Sequence, residues 1–296
     1  MLKFKLFALM LLGITLSLSA QKVSPYFNCG KVDGTISQVK ATVEDALKAS
    51  GYSVTGGYNL SGKSDYYILT YTSKDIQRVC LKVKEKGVLA SNLRIGLHQV
   101  GAKVEIIALN PQYIFLGYLR KSYDTYKTEL NSIENDIKSI MSKIGNQYVA
   151  FGGAVEISEL KHYHYMAMMP YFEDMDELES FDSFNEAIAT IDKNLAAKKG
   201  GTVKVYKQSY TSLEIAVYGV GLLNKTTGEP HFMPIIGEQN FVAMPYEIVV
   251  IGKETYMLAG KFRFAMYWPE LTMGTFTKIM STPGDVEEIL EGLTKK

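Results

Sequence analysis

The sequence predicts an α+β protein of two related domains, each a mainly antiparallel sheet with helices packed on it, joined by a long helix. Three observations predict it. Runs of β-branched and aromatic residues alternate with amphipathic helical stretches. The same order of elements then recurs about 150 residues further on, a whole-domain period rather than a solenoid one. A heptad-spaced stretch lies between the two copies. Composition agrees: 47% of the 296 residues are hydrophobic, so wholesale disorder is excluded. With 32 Lys+Arg against 31 Asp+Glu there is no basic footprint for nucleic acid.

The elements follow in chain order. Residues 1–20 carry Lys3 and Lys5, an apolar run over 6–18, and then Ser19-Ala20 before Gln21-Lys22. This is the order of a secretory signal peptide cut after Ala20, with a cut after Ser19 as the neighbouring alternative. The run is too short for a spanning helix, and no second one follows. The sequence therefore predicts an exported protein, periplasmic or extracellular, with no membrane span after cleavage. The first α+β domain takes residues 21–122, the connecting helix 123–145 and the second α+β domain 146–296.

In the first domain Thr35 and Gln38 form a capping box, and Ile36, Val39, Val43 and Leu47 form the apolar stripe of a helix stopped by Gly51. Strands are predicted at 52–60 and 66–72. Ser73 opens a second helix through Ile76, Val79, Cys80 and Val83. A hairpin at 93–100 and 103–109 turns at Gly101 and ends at Asn110-Pro111. Over 124–144 apolar residues recur at Tyr126, Leu130, Ile133, Ile137, Ile140 and Ile144. Two readings stand for that seam: a homodimeric coiled coil, or a helix lying on its own domain, favoured because three heptads are marginal alone.

The second domain repeats the opening Pro25-Tyr26-Phe27 as Pro170-Tyr171-Phe172. Ser180 is read as the cap of a helix through Phe184, Ile188, Ile191 and Leu195. Strands follow at 203–209, 213–222, 246–251 and 255–264, then helices near 271–280 and 285–293. Between the middle strands lies 224–241, rich in Gly, Pro and polar residues. It is read as a long irregular loop and the leading site location.

The hairpin Met244-Pro245-Tyr246-Glu247-Ile248-Val249-Val250-Ile251-Gly252-Lys253-Glu254-Thr255-Tyr256 resembles the closing hairpin of the domain of unknown function 302 family, where a Pro-led strand, a tight turn and a second strand precede a helix. The first half looks like a more divergent copy through 93–100 and 103–111. The resemblance implies tandem compact α+β domains. The family has no established activity, so it implies no chemistry.

Candidate chemistry is sparse. An extended strand over 161–169 would put His162, His164, Met166 and Met168 on one face. Imidazole and thioether together suit soft Cu(I), and His231 and Met233 could complete the set. Against this stands the ordinary use of Met as core filler. Cys29, placed in a loop, and Cys80, on a helix, are either a disulfide or two buried free thiols. Glu173, Asp174, Asp176, Glu177 and Glu179 read as a solvated loop before a helix. No GxSxG, HExxH or GxxxxGK[ST] motif occurs. An enzyme would need residues that converge only in three dimensions, such as Glu238, His231 and Arg263. The reading is an exported, non-catalytic protein that binds a small ligand or a protein partner, with a copper-binding protein as the alternative.

Overall fold

The structure, a computed structural model, describes residues 21–84 and 86–296; the export segment lies outside them. Strand β1 (Lys22–Val23) precedes β2 (Tyr26–Asp33). Helix α1 (Ile36–Ala49) begins at the capping box: the Gln38 N–H donates to Thr35 Oγ1, and the Thr35 N–H donates to Gln38 Oε1 at 2.9 Å. It buries Val39, Val43 and Leu47, each contributing about 1.5–3 kcal/mol. Strands β3 (Ser53–Tyr58) and β4 (Tyr66–Thr72) follow, then α2 (Lys74–Lys82), capped by Ser73 and burying Ile76, Val79 and Cys80. Strands β5 (Leu93–Val100) and β6 (Lys103–Leu109) form the Gly101 hairpin. Next come α3 (Pro111–Leu119), α4 (Lys127–Gly145), β7 (Val149–Phe151), β8 (Val155–Glu156) and α5 (Ile157–Leu160).

The second half runs β9 (Asp176–Ser180), α6 (Phe184–Ala196), β10 (Thr202–Tyr210), β11 (Ile215–Leu222), α7 (Glu229–Ile236), β12 (Tyr246–Ile251) and β13 (Glu254–Met257). Helices α8 (Gly260–Tyr267), α9 (Met273–Phe276) and α10 (Thr282–Thr294) close the chain. The fold is mixed α+β, and every strand pairing is antiparallel. One large sheet has the order β3-β4-β5-β6-β2-β7 and the other β10-β11-β12-β13-β9, while β1 and β8 form a small two-stranded ladder. The two orders correspond strand for strand, with β7 added at the end of the first. Helices α1 and α6 occupy the same place in the chain order, as do α2 and α7.

Several expectations are corrected. Cys29 lies in a strand, not a loop. Helix α6 is capped by Ser183, because Ser180 ends β9. The acidic run is partly strand: Asp176, Glu177 and Glu179 belong to β9. Pro25-Tyr26-Phe27 leads into a strand, whereas Pro170-Tyr171-Phe172 precedes β9 in turns, so that repeated tripeptide does not superpose. The stretch 224–241 is not a long loop; it folds as α7 and a 3₁₀ turn at Glu238–Ala243. The strand expected to reach residue 264 stops at Met257, and α8 takes over. Strand β7, placed with the second half in sequence, pairs with β2 in the first sheet.

Helix α4 settles on its own half. It buries Leu130, Ile133, Ile137, Ile140 and Met141 and packs on β2, β6, α1, α2 and α3. The heptad seam is thus covered within the chain, and a dimer through 124–144 has no free apolar stripe to use. No helix among the described residues is long and apolar enough to cross a membrane.

In both halves helices cover one sheet face: α1 and α4 on the first sheet, α6 and α10 on the second. The opposite faces carry the residues that meet the other half. The contacts are reciprocal. The 3₁₀ turn Glu238–Ala243, just before β12, sits on β5 and β6, and the 3₁₀ turn Gly87–Ala90, just before β5, sits on β11 and β12. Gly96 admits the first of these, since a Cβ there would lie 2.3 Å from the Phe241 ring.

Candidate functional site

Charge is buried where the halves meet. Arg94 of β5 pairs with Glu247 of β12, and Arg263 Nε of α8 lies 3.3 Å from Glu247 Oε2. All three side chains are 1–2% exposed. Two guanidiniums against one carboxylate leave a surplus positive charge, which carbonyls absorb. Arg94 Nη1 donates to Ala243 O at 3.0 Å, and Arg263 Nη2 donates to Ala243 O at 2.7 Å and Pro245 O at 2.5 Å. The Tyr246 ring lies 3.8 Å and the Tyr267 ring 4.7 Å from the Arg263 guanidinium, as cation–π contacts require. Nearby, Glu229 is wholly buried and accepts from Tyr58 Oη at 2.6 Å, the Leu222 N–H at 3.0 Å and the Ser61 N–H at 2.9 Å. Burial pushes its pKa up to about 7 against those three donors. This centre joins the halves.

Two of the clefts that reach the surface lie beside this centre or beside α8. One is a polar cleft of about 290 Å³ between the halves, lined by Asn28, Tyr66, His98, Glu105 and Phe151 of the first sheet and by Glu238, Gln239 and Phe241. Its charges are already engaged. Asn28 Nδ2 donates to Glu105 Oε1 at 3.0 Å, Glu238 pairs with Lys63, and the His98 and Tyr66 rings stack at 4.0 Å.

The other is an apolar cleft of about 190 Å³ beside α8. Lys261, Phe264, Ala265 and Trp268 line it, and their i, i+3, i+4, i+7 spacing is one face of a helix. The opposite face of α8 carries Arg263 and Tyr267 into the buried charge network. The far wall comes from Met273 and Phe276 of α9 and from Tyr165, Met166 and Met169. Behind it Phe232 of α7 meets Phe264 edge-on at 5.8 Å, so the segment singled out in sequence supports the cleft from the rear. Trp268 is 2% exposed, and its indole N–H has no acceptor.

The segment 161–169 forms turns, not a strand. Alternation therefore does not align His162, His164, Met166 and Met168. Met168 is fully exposed, while Met166 lines the apolar cleft. His162 and His164 border a separate shallow hollow with Glu159 and Pro269, and the His164 ring lies 4.4 Å from that of Tyr171. Tyr163 Oη donates to Ala265 O at 2.8 Å and Tyr165 Oη to Leu271 O at 3.4 Å, tying the turns to the cleft's other side. Tyr165 and Met168 both have positive φ, which non-glycine residues rarely adopt. His231, half-buried, and Met233, buried, belong to α7. Glu238 and Arg263, read in sequence as partners of His231, are paired elsewhere, with Lys63 and Glu247. Cys29 and Cys80 are both buried as free thiols, the second of the two alternatives the sequence left open. Burial pushes Cys29 up to about 12 and Cys80 up as well.

No family model and no curated protein matches the sequence. A structural neighbour is an uncharacterized conserved protein, DUF302, from Bacillus stearothermophilus, 15% identical, with a TM-score of 0.30. The likeness covers 39% of this chain and 94% of that one.

Proposed function

We propose that this is an exported, non-catalytic binding protein whose cleft beside α8 holds a small apolar molecule, and that its two halves descend from one duplicated domain of the DUF302 kind. The observation that carries the binding reading is the cleft itself: about 190 Å³ walled by aromatic and methionine side chains. Such walls are how small-molecule sites are usually built, and methionine adapts to varied ligand shapes. The positive φ at Tyr165 and Met168 supports it, since strained backbone concentrates around ligand sites. Duplication is supported by the matching strand orders and the reciprocal contacts. Export is supported by the basic, apolar and small-residue order of residues 1–20.

Titration of the protein with the neutral apolar dye N-phenylnaphthylamine tests the site. Saturable enhancement of dye fluorescence that is lost in Ala265→Phe, which fills the cleft, is the expected result. No enhancement, or enhancement unchanged in that variant, overturns the reading. Expression of the full chain in a Gram-negative host tests export: the periplasmic fraction should hold a protein whose first residue is Gln21.

A further inference from the structure

We infer that the molecule held in the cleft is a short-chain aliphatic carboxylate, its chain among the aromatic and methionine side chains and its carboxylate at Lys261. The inference rests on the apolar-binding reading above. Among the residues lining the cleft Lys261 alone is charged, and no carboxylate is present to neutralise it. Lys261 is exposed and has no acidic partner among the described residues. A neutral hydrocarbon leaves Lys261 unanswered, and an ammonium is repelled by it. The cleft is small, about 190 Å³, which suits a short chain better than a membrane lipid.

Trp268 is the only tryptophan in the sequence, so its emission reports on this cleft. The protein is titrated at neutral pH with sodium octanoate, 1-octanol and octylammonium. Octanoate should shift the emission saturably, at least tenfold tighter than octanol, with octylammonium weakest. Hexanoate should bind more weakly by about fourfold per methylene removed. Lys261→Gln, a surface change, should bring octanoate to the octanol level. Equal binding of octanoate and octanol, or octanoate unaffected by Lys261→Gln, overturns the carboxylate and leaves the apolar site standing. If none of the three binds or displaces the dye, the apolar reading falls with it.

Discussion

Arg94 and Glu247 form an ion pair between strands that hold the same place in their two sheets, with both side chains almost wholly buried. Glu247 also faces Arg263, so removing its charge strands two guanidiniums inside the protein. Glu247→Gln should cost about 3–5 kcal/mol, as breaking a buried pair from one side does. Urea unfolding measures it. Lys63→Gln, at the part-exposed pair with Glu238, should cost under about 1 kcal/mol in the same assay.

Glu229 gives stability a pH dependence whose sign follows from its environment. Burial raises its folded pKa from 4.5 to about 7. The folded protein therefore holds this proton more tightly than the unfolded chain does. The stabilisation is complete below pH 4.5 and is lost as pH rises to about 7. The stability difference between wild type and Glu229→Gln should change by on the order of 3 kcal/mol across that window. Urea midpoints at pH 4.5 and 7.5 check it. A flat difference would mean that Glu229 titrates normally.

Both thiols should be inert while the protein is folded. Cys29 and Cys80 are buried, and burial holds their thiols protonated. A colourimetric thiol reagent should find no reactive group in native protein and two in denaturant, and the intact mass should be that of the reduced chain.

Peroxide should oxidise the methionines in order of exposure. Met168 should go first, then Met280, Met273 and Met166, while Met141, Met233 and Met257 survive until unfolding. Peptide mapping after graded doses reads this order. A ligand in the cleft should protect Met166 and Met273 and leave Met168 unchanged.

Helices with one wet side were legible. The box at Thr35 and Gln38, the Ser73 cap and the stripe from Leu130 to Ile140 all stand where periodicity put them, because one polar face makes the 3.6-residue period visible. Helix α3 was missed for the opposite reason: eight of its nine residues are buried, so no contrast survives. In α8, Gly260 to Phe264 read as a strand continuation because aromatic residues favour strands locally, and tertiary burial on two sides overrode that preference. Helix α7 was hidden by Pro230, Pro234 and its flanking glycines. The cleft was illegible because its walls come from the turns at 165–169 and from two helices about a hundred residues later. The charge centre needed Arg94 and Glu247 to meet across both halves.

The arrangement of β3 and β10 has a consequence for solubility. These are terminal strands of their sheets, and a Cβ on Gly56 would lie 1.9 Å from Val205 O, so each screens the other from solvent-borne chains. At the remaining rims β7 is three residues long, and β9 carries Asp176, Glu177 and Glu179. Neither long terminal strand is thus left as a template for recruiting further chains, and the short or negatively charged rims discourage fibre growth at high concentration.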